Sequence, residues 1–253
     1  MKDVQLQKDV REVFLQKVGI KKLVRPVIIN TKDGQVHSVA QIAFSVSLEK
    51  EKRAIHMSRL VEILDSWDTT ISYESIQLIL SEVKKRMESD HSNIELLFDY
   101  FREKTSPMSN KISKMHYKCK INASDYDDFM YLTVKVPITS VCPCSKSISE
   151  YGAHNQRGIV DITVKVQDLA SIEDVIQRVE AAASMELFSL LKRIDEKYVT
   201  EAAYENPKFV EDIARDVVLQ LRKEPQYTWY QMKVENYESI HNHNAYVTTI
   251  QED

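Results

Sequence analysis

Residues 22–30 and 35–48 are strand-like apolar runs, and the T-K-D-G stretch between them ends in Asp33-Gly34, a pair suited to a tight hairpin. Two antiparallel strands follow. Over 57–67 and 72–89 the apolar spacing lengthens to three and four, which predicts two helices. In the second of these Ile76, Leu78, Ile79, Leu80 and Val83 define a broad face for burial. Strand character returns over 94–102 and 114–122, where Met115, Tyr117, Cys119 and Ile121 share one side. The first half therefore reads β-β-α-α-β-β.

The second half repeats that order, with strands over 129–138 and 158–166, helices over 171–195 and 207–223, and strands over 227–238 and 244–251. Pro207 suits the first turn of its helix, and Lys223 and Pro225 close it. With residues 123–128 as the join, the chain divides into a polar lead-in (1–19), a first module (20–125) and a second (126–253). The fold class is α+β, with two four-stranded antiparallel sheets, each backed by helices on one face. The other face of each sheet then needs cover, which favours oligomers.

Composition narrows the function. At 253 residues and 43% hydrophobic, the chain can bury a substantial core. It has no run of ~18 apolar residues, and its first residues are too polar for a signal peptide, so neither membrane nor export is expected and the cytoplasm is the default. Three cysteines make a poor disulfide framework, and a net charge of -4 gives no general attraction for nucleic acid. Only four glycines occur, at 19, 34, 152 and 158, so neither a P-loop nor a dinucleotide-binding turn can be built.

Four segments carry chemistry. In P-I-T-S-V-C-P-C-S-K-S-I-S-E-Y-G-A-H-N-Q-R, Cys142, Cys144 and His154 offer thiolate and imidazole donors for a borderline-soft cation, at a spacing unlike a zinc finger. Gly152 and Gly158 bracket the histidine, where positive φ or close approach by a ligand is expected. A second stretch, around D-E-K-Y-V-T-E-A-A-Y-E-N-P-K-F-V-E-D, crowds carboxylates at 195, 196, 201, 205, 211 and 212 round a helix junction, most of them solvated. The third, E-S-I-H-N-H, sets Glu238 beside His241 and His243, which an extended backbone would point to one side in competition with His154 for a metal. The fourth, K-R-A-I-H-M-S-R, places His56 and Arg59 before a helix, where phosphate can bind.

Together these motifs resemble the GTP cyclohydrolase IB family, from about residue 20 onward. The resemblance implies two tandem tunnelling-fold modules, homotetramers with active sites at subunit interfaces, and conversion of GTP and water to 7,8-dihydroneopterin triphosphate and formate at the head of folate and pterin synthesis. It implies Cys142, His154 and Glu196 as ligands of a divalent metal, for which Zn²⁺, Fe²⁺ and Mn²⁺ all suit the donors. It also implies Glu211 as the guanine anchor, since a carboxylate accepts from N1-H and N2-H₂ together. Cys144, Glu238, His241 and His243 would line the reacting edge of the base, with His56 and Arg59 toward the triphosphate. Rival readings are an archaeal-type cyclohydrolase that ends at a cyclic phosphate, a nitrile reductase that uses cysteine as nucleophile, and a metal-stabilised binding protein without turnover.

Overall fold

A computed structural model of the chain describes residues 5, 7–31, 34–169 and 171–252. Asp33 of the predicted turn, and residues 1–4 and 6 of the lead-in, lie outside the described residues. The strands on either side of that turn pair as expected: β1 (Leu15–Thr31) runs antiparallel to β2 (Gly34–Leu48), closing with Thr31 opposite Gly34. However, β1 begins within the expected lead-in. Its register shifts between Ile20 and Leu23, with Lys22 at φ 64, and this irregularity breaks the alternation that would have revealed it. Gly19 is required there, because a Cβ would fall 1.8 Å from the carbonyl oxygen of Phe44.

The chain forms two compact units, one of residues 1–99, 120–131 and 166–170, the other of 100–119, 132–165 and 171–253. The strands are hydrogen-bonded in the order β3-β1-β2-β4-β5-β6-β7-β8-β9, so the two separate four-stranded sheets expected are not formed. β4 (Ser92–Thr105), β5 (Ile112–Ser124) and β6 (Met130–Val141) each contribute to both units.

In the first unit α1 (Met57–Asp65) buries Leu60, Ile63 and Leu64, and α2 (Tyr73–Met87) buries Ile76, Ile79, Leu80, Val83 and Met87. Leu78, expected on the buried face, is 72% exposed, because the helical turn carries it past the sheet. Ser72 and Ser75 cap α2 reciprocally at 3.1 and 3.2 Å. The short β3 (Thr70–Ile71), parallel to β1, carried no sequence signal.

The second unit holds β7 (Asn155–Val166), β8 (Trp229–Asn236) and β9 (Ala245–Glu252), whose inward residues Val160, Ile162, Val164, Tyr230, Met232 and Val234 are buried. α4 (Ser171–Ala182) and α6 (Val210–Leu221) present matching apolar stripes, each such side chain worth roughly 1.5–3 kcal/mol. The helix expected over 171–195 stops at Ala182. Residues after it pair instead with the edge of β6: Ser184 N-H donates to Thr139 O at 3.1 Å and Thr139 N-H to Met185 O at 3.2 Å. Pro207 precedes α6 rather than opening it, and Phe209 occupies the N-cap.

The outer sheet face of this unit is polar. Lys135 pairs with Asp161 at 2.6 Å, Lys233 with Glu235 at 2.6 Å, and Thr133 with Thr163 at 2.8 Å. It therefore does not demand the dry cover expected of it. Among the described residues no helix is long and apolar enough to cross a membrane.

Asp195 opens α5 (Arg193–Glu205) and is fully buried. It accepts from Met108 N-H (2.9 Å), Ser109 N-H (2.8 Å), Ser109 Oγ (2.6 Å) and Lys192 N-H (2.7 Å), pinning the β4–β5 turn to the helix. Removal from solvent pushes its carboxyl up, but these hydrogen bonds outweigh that and hold it at about 2. A depressed folded pKa contributes stability above the unfolded value of about 4 and loses it as pH falls toward the folded value. Asp195→Asn should therefore melt at a lower temperature near neutral pH and show a shallower loss of stability between about pH 4 and 2. Thermal melts across that range check this, and an undiminished acid slope in the variant would refute it.

Candidate active site

β6 ends at Val141, and the next residue, Cys142, donates its N-H to the carbonyl of His154 at 3.1 Å. Between them lies a short helix absent from the sequence reading, α3 (Pro143–Ile148), with Cys142 at its N-cap and Pro143 in its first turn, where a missing N-H costs nothing. Ser145 clasps the two candidate ligands. Its hydroxyl donates to Cys142 O at 3.2 Å and accepts from His154 N-H at 3.1 Å, while its N-H reaches Cys142 Sγ at 3.5 Å. Gly152, at φ 125, makes the return turn. Cys142 and His154 are thus brought together, both half-buried, while Cys144 is exposed.

The loop from 237 to 244, between β8 and β9, meets this pair. Tyr237 N-H donates to Arg157 O at 2.9 Å, and Ser239 Oγ lies 3.4 Å from His154 Nδ1. The loop carries Glu238, half-buried, and the exposed His241 and His243, whose rings stack with centroids 5.1 Å apart. They are close to each other as expected, but in an irregular loop rather than an extended segment.

The carboxylates fare differently. Glu211 is exposed in the first turn of α6, and the segment before it is tied to the Cys142 strand, since Lys208 N-H donates to Val141 O at 3.0 Å. Lys208 Nζ also holds Asp216 at 2.7 Å and Ala182 O at 2.9 Å. Glu196 is exposed in the first turn of α5, next to the buried Asp195. That helix approaches α3 by its other end: Lys146 Nζ donates to Tyr204 O at 2.5 Å and lies 4.2 Å from the Tyr204 ring centroid. Eight residues of helix separate Tyr204 from Glu196, about 12 Å along the axis. Among the described residues no three His, Cys, Asp or Glu side chains are grouped as a metal site, so Glu196 does not join Cys142 and His154 in this chain alone. His56, at the N-cap of α1, and Arg59, whose guanidinium is 3.5 Å from Arg86 O, belong to the first unit.

Sequence reasoning missed the polar residues behind the site. Ser140, Gln156 and Asn236 occupy inward positions of β6, β7 and β8 and are buried. A polar residue at an inward position of an otherwise apolar strand was the available signal. Gly158 is explained by the same group: a Cβ there would stand 2.5 Å from Asn236 Oδ1, so the close approach is by protein rather than ligand.

Over residues 1–247 the chain matches the family described as type I GTP cyclohydrolase folE2. It is 47% identical over 249 residues to the GTP cyclohydrolase FolE2 of Thermosipho africanus, covering 97% of this chain and 96% of the relative. To that of Thermotoga petrophila it is 49% identical over 248 residues, 97% and 95% of the two chains. To that of Desulfosudis oleivorans it is 46% identical over 252 residues, 98% and 97%. These findings name type I and FolE2 and carry no IB subdivision. Among solved structures the uricase of Arthrobacter globiformis superposes with a TM-score of 0.50 at 9% identity, covering 100% of this chain and 96% of that one. At that identity the likeness concerns fold alone, and it fits the tandem tunnelling-fold description with helices on one side of the sheet.

Because the Ser145 hydroxyl serves both Cys142 and His154, Ser145→Ala should strand the His154 N-H and cost about 1–3 kcal/mol. Urea unfolding checks this, with Ser145→Thr recovering most of the loss. An unchanged midpoint in Ser145→Ala would show that the clasp is immaterial.

Proposed function

The chain belongs to the type I GTP cyclohydrolase FolE2 family, and from that premise we propose that it is a metal-dependent cytoplasmic enzyme that converts GTP and water to 7,8-dihydroneopterin triphosphate and formate, ahead of folate synthesis. The observation that carries this reading is the meeting of Cys142, His154 and the 237–244 loop at one place, in a chain about half identical to FolE2 proteins along almost its whole length. The IB subdivision rests on the motif resemblance alone.

Thiolate, imidazole and carboxylate are donors that suit Zn²⁺, Fe²⁺ or Mn²⁺. Cys142 and His154 hold the metal, and Glu196 completes the set in the assembled oligomer. When bound, the metal supplies a water of lowered pKa for attack on the purine. Glu211 accepts the N1-H and N2-H₂ of guanine as a charge-assisted pair, a donor edge that adenine lacks. A histidine of the 241/243 pair delivers a proton to the ring nitrogen as the bond from C8 opens, with Glu238 orienting it and Cys144 beside the base. C8 leaves as formate after a second hydration, and the ribose then rearranges and recloses on the exposed amine. His56 and Arg59 face the triphosphate.

The protein works as a homotetramer with its sites at subunit interfaces. Exposed apolar side chains on the segments that carry the site support this, among them Ile148 (83%), Tyr151 (96%), Ile194, Phe209, Tyr237 and Ile240. Sedimentation should give a tetramer; a fully active monomer would sink the shared-site reading.

Formate release from GTP by metal-loaded protein is the decisive assay. Its absence, with metal and GTP both bound, would favour a binding protein. Analysis of the phosphorylated product separates the linear triphosphate from a cyclic phosphate. Glu211→Gln should weaken GTP binding roughly 30- to 1000-fold, equivalent to about 2–4 kcal/mol, with the metal retained. Inosine triphosphate should be a poor substrate for the same reason. Normal GTP affinity in the variant, by calorimetry, would remove Glu211 as the anchor. Cys142→Ala should lose the metal and turnover together; elemental analysis that finds normal metal content would move the ligand role to Cys144.

A further inference from the structure

Behind His154 a file of polar side chains crosses the inner ends of three strands. His154 Nδ1 lies 2.9 Å from Gln156 Oε1, Gln156 Nε2 lies 2.8 Å from Ser140 Oγ, and Asn236 Nδ2 lies 3.0 Å from the same hydroxyl. Gln156 is 8% exposed, Ser140 0% and Asn236 2%, so these groups have exchanged water for one another. Buried polar groups of this kind are retained only when satisfied, and their directions are coupled. Ser140 Oγ accepts N-H from both Gln156 and Asn236, filling both of its lone pairs, while Asn236 Oδ1 has no hydrogen-bond partner among the described residues. Gln156 then has its nitrogen committed to Ser140 and its oxygen turned to His154. An oxygen there accepts only from an Nδ1-H.

Resting on the metal reading above, we infer that Gln156, locked by Ser140 and Asn236, is a positioning residue that holds His154 in the Nδ1-H tautomer and so keeps Nε2 as the lone pair offered to the metal. Ser239 Oγ, at 3.4 Å, faces the same ring nitrogen and leaves Nε2 to the cation. This is the second layer that a metal-binding imidazole needs, since the hydrogen bond at one nitrogen decides what the other can do.

The test has two arms. In metal-free protein, long-range ¹H–¹⁵N correlations of the His154 ring should report Nδ1-H, and an Nε2-H ring in the wild type would overturn the inference. In the second arm, Zn²⁺ affinity is measured by chelator competition. Gln156→Leu should bind roughly 10- to 100-fold more weakly, and Gln156→Glu, which keeps an acceptor toward Nδ1, should recover most of that loss. A purely structural role predicts lowered melting temperatures in both variants with Zn²⁺ affinity unchanged, and that result would also overturn it. If the wild type binds no Zn²⁺, Fe²⁺ or Mn²⁺, the metal reading fails, while the tautomer measurement still decides what Gln156 does.

Discussion

The site depends on where the apolar alternation of β6, β7 and β8 stops. The inward positions are apolar from Met130 to Ile138 on β6, from Val160 to Val166 on β7 and from Tyr230 to Val234 on β8, and at the strand ends Ser140, Gln156 and Asn236 take over. An apolar side chain at any of the three would leave the other polar groups buried and unpaired, which costs more than the hydrogen bond itself contributes. The three thus stand or fall together. Gly158 belongs with them, because the register that sets it opposite Asn236 leaves no space for a side chain.

From that buried junction outward, each functional segment is tied down by main-chain bonds rather than by packing. Cys142 and His154 share a backbone bond and the Ser145 hydroxyl. The segment before Glu211 hangs from Val141 O. Val141 N-H in turn donates to Ser184 Oγ at 3.1 Å, and Asn206 Nδ2 holds the carbonyls of Ala183 and Ser184 at 3.0 and 3.1 Å. The irregular stretch after α4 is thereby a strut, and its neighbour Lys104 serves it too, bonding Leu187 O at 2.8 Å and the buried Glu180 at 2.9 Å. Burial pushes the Glu180 carboxyl up despite Lys104, so this pair holds structure in a region of low polarity.

Asp195 and Glu196 illustrate how adjacent carboxylates part company. The helical turn rotates one inward to gather four hydrogen bonds from the β4–β5 turn and the helix start, and leaves its neighbour in water, uncommitted. The first is spent on folding. The second is left available to a metal, a substrate or another copy of the chain.

Read as letters, the chain determined its α+β class, the strand and helix order of its first half apart from the short β3, and the buried side of β5, where Met115, Tyr117, Cys119 and Ile121 are all inside. These follow from periodicity, a local property. It also marked Cys142, Cys144 and His154 as neighbours across one connecting loop, with the choice of Cys142 resting on the family resemblance. What lay beyond it were features decided at a distance. The bulge in β1 lengthened a strand into the lead-in, and pairing with the β6 edge ended α4 early. Leu78 faced outward against its composition. The polar outer face of the sheet arose from cross-strand pairs such as Lys135 with Asp161, residues 26 positions apart whose meeting no window of sequence contains. Hydrophobic period is written along the chain, whereas the partner of a buried serine or glutamine is chosen only when strands align, and this site is built from such partners.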